Sequence, residues 1–254
     1  MCLIVFDWQP TAGIRLKLAA NRDEFHTRPT EPLHRWLDAP LIGGRDLRGG
    51  GTWLAATGKA RFAALTNVRE GLVPVPADAP SRGGLVRGAI EAPDLEGWLE
   101  RLAAAQAQHY AGFNLLAMNG DRLWHLHHSQ DATYLETVPP GLHGLSNASL
   151  DTPWPKLLRA HEALKSALAA PDWRQSMWPA MGDTRPADDA ELPDTGVGLA
   201  RERFLSSVFI DGEDYGTRST TLATVTASGR TTLEERRYGP HGRSIGDTQR
   251  LSIA

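Results

Sequence analysis

A four-layer αββα sandwich of the α+β class, with two mainly antiparallel sheets flanked by helices, is the fold this sequence predicts. Three observations lead to it. Short apolar runs, several of them alternating with polar residues, come in consecutive pairs separated by turn residues, as hairpins do. Helical patterns sit in blocks between those hairpins, the arrangement that layered sheets and helices produce. The chain has 254 residues, enough for a sizeable core, and no internal repeat at a fixed period, so one domain over 1–254 is expected.

The elements follow in order. "CLIVFDW" is a short apolar run, "QPTAG" a turn, and "IRLKLAA" an alternating strand with Ile14, Leu16 and Leu18 on one face. As an antiparallel hairpin, this pair brings Cys2 beside the polar cluster Asn21-Arg22-Asp23-Glu24 that follows the second strand. "TWLAAT" and "RFAALTN" form a second hairpin about the turn "GKA", with residues near Thr52 opposite those near Asn67. The glycine run 49–51 ahead of it suits close backbone approach to a ligand. It lacks the lysine of a phosphate loop and the strand–helix context of a dinucleotide fingerprint. Two helices come next, with Ser81 and Asp94 as N-caps. Strands return at "FNLLAMN", "RLWHLHH" and "TYLETV". A helix begins at Pro153 and Pro155, and another covers "ARERFLSSVF". A closing hairpin turns at Ser228-Gly229. Between these helices, residues 171–198 are rich in Pro and Asp, lack a clean period and read as a long loop, hence a lid or binding loop.

Composition narrows the function. A net charge of −3 leaves no broad basic footprint, so nucleic acid is not an expected partner. Cys2 is the only cysteine, which rules out an internal disulfide framework and a cysteine-based zinc site and fits a reducing compartment. No secretory signal and no apolar stretch of about 20 residues is present, so a soluble cytoplasmic protein without a membrane span is expected.

The placement of Cys2 is what points to chemistry. A lone strand cysteine is commonly a small buried hydrophobe. Directly behind a start methionine, however, trimming leaves one residue with both a thiol and a free α-amine, a nucleophile and its base together. Arg22 supplies a permanent positive charge able to lower the thiol pKa. One of Asp23 and Glu24 can orient the amine while the other pairs with Arg22 or Arg28; the alternative is a solvated charged turn. In "WHLHH", His125 and His127 point the same way, as two metal ligands can, but exposed strand histidines are commoner and no metal is expected.

The segments "MC", "ANRDEF", "GGRDLRGGGTWLA", "ALTNVREG", "GLSNASLDTPWPK" and "DYGTRSTT" occur in this order from residue 1 to about 225. Together they resemble the NRDE family, also named after transport and Golgi organisation protein 2. That family in turn resembles the N-terminal-nucleophile (Ntn) hydrolases of the choloylglycine-hydrolase and penicillin-acylase-like group. The resemblance implies an αββα fold, a cysteine nucleophile exposed by processing, and cleavage of linear amides. It matches Cys2 to the nucleophile, Arg22 and Asp23 to the arginine and aspartate after the first hairpin, and Asn67 to the oxyanion asparagine. Asn147 and Arg218 match a later asparagine and arginine. The acidic spacing differs, since the hydrolases read Arg-Asn-x-Asp, so Asp23 and Glu24 both stay open. Asn67 and Asn147 are expected as oxyanion donors, and Arg218 either holds a substrate carboxylate or is a surface strand arginine. The implied reaction is hydrolysis of a small acyl-amide through an acyl-enzyme, without metal or cofactor. Because the NRDE family is also connected with haem and lipid metabolism, the alternative is a binding or trafficking protein for haem or an acyl-CoA, its tryptophans and the 171–198 loop lining a hydrophobic pocket.

Overall fold

The computed structural model describes residues 2–71, 73 and 78–254. The chain opens with the hairpin β1 (Cys2–Trp8) and β2 (Ile14–Phe25), then runs through β3 (Thr30–Arg35), β4 (Ile42–Asp46), β5 (Leu54–Thr57) and β6 (Arg61–Asn67). Helices α1 (Gly83–Glu91) and α2 (Leu95–Arg101) follow, and α2 continues as a π turn over Leu102–Gln106. Next come β7 (Phe113–Asn119), β8 (Arg122–His128), β9 (Thr133–Thr137) and β10 (Gly141–Leu145). Helices α3 (Pro155–Leu168), α4 (Trp173–Ala180) and α5 (Leu199–Phe204) precede β11 (Tyr215–Thr226), β12 (Thr231–Arg237) and β13 (Gln249–Ile253).

These strands build two sheets, ordered β10-β1-β2-β11-β12-β13 and β3-β4-β5-β6-β7-β8-β9. Every pairing is antiparallel. Three apolar layers hold four structural layers together. Ile4, Phe6, Leu16 and Leu18 meet Leu54, Phe62 and Leu116 between the sheets. Leu85, Val86, Leu95 and Leu99 of α1 and α2 pack on Ala63, Leu115 and Leu126 of the second sheet. Leu157, Leu164, Trp173 and Met177 of α3 and α4 pack on Leu3, Val5 and Leu222 of the first. This is the αββα sandwich. It explains why β1 reads as a continuous apolar run: its even residues face the other sheet and its odd ones face helices, so both faces are dry. Among the described residues, no helix is long and apolar enough to cross a membrane.

Helix ends agree with local chemistry in part. Asp94 accepts from Gly97 N, as an N-cap does, and Pro155 opens α3. Ser81 is not the cap of α1: the helix starts at Gly83, Arg82 occupies the cap position, and Ser81 serves only through its carbonyl, which accepts from Gly84 N. The helix expected over "ARERFLSSVF" stops at Phe204. Beyond it, the Ser206 hydroxyl accepts from Ala187 N and the Ser207 hydroxyl donates to Phe209 O. The Ser207 bond, to a carbonyl two residues on, is the local kind that competes with helix continuation.

The structure corrects two further expectations. The "NRDE" residues do not follow the second strand but lie within it, because β11 pairs with β2 out to Phe25 and satisfies its polar end. The 171–198 segment is not one loop. It contains α4 and a turn of 3-10 helix at Asp189–Glu191, and it sinks Trp173, Met177 and Met181 into the outer core. Within the glycine run, Gly51 also makes a close chain-to-chain approach: a Cβ on it would stand 2.4 Å from the Gly83 carbonyl carbon, where Thr52 N bonds Gly83 O.

Candidate active site

One row of residues crosses the first sheet. The ladders place Cys2 opposite Arg22, Arg22 opposite Ser219, and Ser219 opposite Arg237. Directly opposed residues share a face, and Cys2 shares the face of Ile4 and Phe6, which looks toward the other sheet. There the row floors a cavity of about 560 Å³ whose described lining also includes Thr52, Trp53, Asn67, Arg82 and Glu235. Cys2 itself is 7% exposed. The register depends on a bulge. Asp23 pairs with Thr217 but Arg22 with Ser219, so Arg218 is an extra residue in β11. Bulges re-aim side chains, and they concentrate beside active sites.

Asp23 and Glu24 point to opposite sides, as neighbours in a strand must. Glu24 lines the cavity and lies 3.7 Å from Arg28. Asp23 is buried, and its carboxylate accepts from Thr217 Oγ1 at 2.7 Å. Burial pushes the Asp23 carboxyl up from its ordinary value, while the Lys156 ammonium, the Thr217 bond and Arg22 pull it down. Burial likewise pushes the Cys2 thiol up, and Asp23 adds to this, while Arg22 opposes it. Of the two carboxylates, Asp23 is the one whose charge acts on the Cys2 thiol, while Glu24 is engaged with Arg28.

Lys156 is the residue that sequence reasoning missed. It is 2% exposed, near the start of α3, with Nζ 3.4 Å from Asn147 Oδ1. Burial lowers its pKa to about 8 from 10.5, with Asp23 favouring the charged form, Arg69 opposing it and Cys2 favouring it. One signal was available: a lysine in the first turn of a helix stands at the positive end of the macrodipole, the less favourable end for a cation. Arg82 was missed too. Its Nη1 donates to Gly112 O at 2.9 Å, and burial lowers its pKa while the Cys2 thiolate and Glu24 favour its charge.

Asn67 ends β6 and lines the cavity. Asn147 is fully buried and braces this strand end: its Nδ2 donates to Asn67 O at 3.0 Å, and its carbonyl accepts from Arg69 N at 2.7 Å. The expectation of a second oxyanion donor at Asn147 thus meets a positioning geometry, with the residue outside the described cavity lining. Arg218 also differs from expectation. Its guanidinium donates to Phe25 O, Arg28 O and Thr30 Oγ1, which braces the turn after β2. It borders the cavity with those donors already engaged.

Asn21 staples layers. Its Nδ2 donates to Met181 O and Val208 O, and its Oδ1 accepts from Thr220 Oγ1 at 2.6 Å. Asn21→Ala leaves two carbonyls and a hydroxyl short of a partner, so a stability loss of about 2–4 kcal/mol is expected. An unchanged urea midpoint would contradict this. The strand histidines are likewise engaged. His125 Nε2 and His127 Nδ1 lie 3.0 and 2.7 Å from Asn114 Oδ1, and His125 Nδ1 lies 2.8 Å from Glu136. Asn114 Nδ2 donates to Thr66 Oγ1 and Ala148 O, beside the Asn147 segment. Among the described residues no group of three or more His, Cys, Asp or Glu is arranged to hold a metal. Burial lowers the His127 pKa from 6.5 to about 4. The unfolded chain therefore binds a proton at this site before the folded one does, and stability is expected to fall as pH drops from 6.5 through 4. His127→Gln should flatten that part of a melting-temperature profile.

The layer order is an αββα sandwich, the fold the resemblance implies, with a cysteine starting the strand β1 at the cavity floor. The model of the family "Transport and Golgi organisation 2" matches residues 1–240. The Transport and Golgi organization protein 2 homolog of Bos taurus is 31% identical over 93% of this chain and 92% of its own length. The Drosophila melanogaster Transport and Golgi organization protein 2 is 31% identical over 95% of each chain. The chain belongs to the Transport and Golgi organisation 2 (NRDE) family. Among solved structures, the Caenorhabditis elegans N-acylethanolamine-hydrolyzing acid amidase ortholog matches with a TM-score of 0.44 and 8% identity, covering 89% of this chain and 93% of that one.

Proposed function

We propose that the protein is an N-terminal cysteine hydrolase that cleaves the C–N bond of a small acyl-amide. The observation that supports this is Cys2 directly opposite Arg22 on the floor of a cavity that also holds Asn67. The reading requires cleavage of the chain immediately before Cys2. The freed α-amine then takes the thiol proton, and Sγ attacks the carbonyl carbon. Asn67 donates to the oxyanion, a contribution typically worth about 2.7–4 kcal/mol. Collapse breaks the C–N bond, and the leaving amine takes the proton back from the α-ammonium. Water, deprotonated by the same amine, then hydrolyses the thioester and releases the carboxylic acid. Asp23, with Lys156 near it, supplies the charge that orients the amine, and Asn147 positions Asn67.

A second reading, a carrier that uses the cavity without chemistry, draws on the upward push that burial gives the Cys2 thiol. The lining suits a charged ligand over a porphyrin or a bare acyl chain, since seven arginines and five carboxylates stand among its described residues. Mass spectrometry after exposure to chloroacetamide at pH 7 separates the two. The hydrolase reading expects a single adduct on an N-terminal Cys2, formed faster than on free cysteine. A processed protein whose Cys2 reacts no faster than free cysteine would leave only the carrier.

A further inference from the structure

The cavity's arginines divide into two sets. Arg28 bonds Asp46, Arg45 is bidentate on Asp38, Arg82 holds Gly112 O, and Arg218 holds three oxygens of the turn after β2. Those cations have structural partners. Arg48, exposed, also lines the cavity without a side-chain hydrogen bond or ion pair among the described residues. Arg22 and Arg237 are unpartnered as well: among the described residues neither guanidinium makes a hydrogen bond or an ion pair. They are the two arginines of the transverse row, set on either side of Ser219. The Ser219 hydroxyl is unbonded as well, and all three line the cavity.

Glu235 is the carboxylate whose field reaches both guanidinia, and it faces the cavity from β12. It does not neutralise them by contact. Its Oε1 accepts from Leu33 N at 2.8 Å, and neither guanidinium lies within ion-pair distance of it. Two cationic forks with a hydroxyl between them, left without protein acceptors in a partly enclosed space, make a receptor for an oxyanion. Charge-assisted bonds of this kind are the strong ones, and guanidinium matches carboxylate and phosphate bidentately.

We propose that Arg22, Ser219 and Arg237 bind an anionic group on the substrate, so that the amide delivered to Cys2 carries a carboxylate or a phosphate. The distance follows from the sheet. Neighbouring strands lie about 4.8 Å apart, so Ser219 stands roughly 10 Å from Cys2 across the floor, measured between backbones. The anion therefore sits a few bonds from the scissile carbon, as in a short N-acyl amino acid or an N-acyl phosphoamine. This substrate class rests on the hydrolase reading, but the anion site itself does not.

The test uses Cys2→Ala protein, in which no acyl-enzyme can form. Calorimetric titration compares N-butanoylglycine, the neutral N-butanoylglycinamide and N-butanoyl-O-phosphoethanolamine. At least one anion is expected to bind about tenfold or more tightly than the neutral amide, and the tighter of the two distinguishes carboxylate from phosphate. Arg237→Gln, added to Cys2→Ala, should remove that preference and leave the neutral ligand's affinity unchanged. Among the described residues the Arg237 side chain bonds nothing, so the neutral ligand also reports that the cavity is intact. Equal binding of charged and neutral ligands, no binding of any, or a preference that survives Arg237→Gln would overturn the proposal. Failure of the chloroacetamide experiment with anion binding intact would remove the hydrolase reading and leave the anion site standing.

Discussion

With any residue left in place ahead of Cys2, amide turnover is expected to fall as far as it does in Cys2→Ala, by roughly 10⁴-fold or more. The reason is that the proposed reaction uses the α-amine as its base, Asp23 and Lys156 being engaged with each other's charge. Cys2 is buried with its thiol pushed up, and Arg22 only partly opposes that push. Among the described residues no histidine lines the cavity, and the proposed reaction sends the sulfur's proton to the α-amine. An amide at that position cannot accept it. The measurement compares the rate of acyl-enzyme formation in chain cleaved before Cys2, chain with a blocked extension, and Cys2→Ala as the floor. If the extended chain keeps more than a few per cent of the rate, the α-amine is not the base and the mechanism falls.

Lys156→Met is expected to change how stability depends on pH. In the unfolded chain the lysine stays protonated up to about 10.5, whereas in the fold it gives up its proton near 8. Between these values the unfolded state binds more protons, so stability rises with pH, by about 3 kcal/mol across the full window. Below pH 8 the fold carries a buried ammonium whose desolvation exceeds what Asp23 returns, which is why the value is depressed. Methionine removes the titrating group, so the variant's profile should be flat where the wild type climbs. It also removes a positive charge near Asp23, whose carboxyl should then rise further. Denaturant midpoints at intervals from pH 7 to 10.5 for both proteins provide the check. Parallel profiles would mean that the ammonium is solvated and has no hold on Asp23. A buried charge that burdens the fold near neutral pH fits a site tuned for chemistry better than one tuned for stability.

Much of this protein is readable from local pattern. Alternation in "IRLKLAA" and the turn "QPTAG" make a hairpin, and a hairpin must bring its two ends together, so the pairing of Cys2 with Arg22 follows from two short segments and a loop. The motif set from "MC" to "YGTRST" identified the family for a similar reason, since each motif is local and their order is linear. Strands that lack such pattern were missed. β3 carries Pro32 at a sheet edge, β4 carries Gly43 and Gly44, and β13 is largely polar. Edge strands need no apolar alternation on both faces and tolerate proline, so little in their composition marks them.

By itself, then, the sequence determined the layered fold, the family, and the meeting of thiol and guanidinium at one sheet edge. Tertiary structure alone decided which side of the sheet each carboxylate of the pair takes. Adjacent strand residues face opposite ways, but only the packed helices show that Asp23 is the one whose charge meets Lys156, while Glu24 meets Arg28. It also decided the partners that local order cannot encode: Lys156 is brought to Asp23 by a helix packing on a sheet, and Arg237 is set in line with Cys2 only because an extra residue at Arg218 resets the register of β11 against β2. Periodicity reports which face a residue takes relative to its neighbours. What lies across that face is set by contacts between segments far apart in the chain, and no local pattern records them.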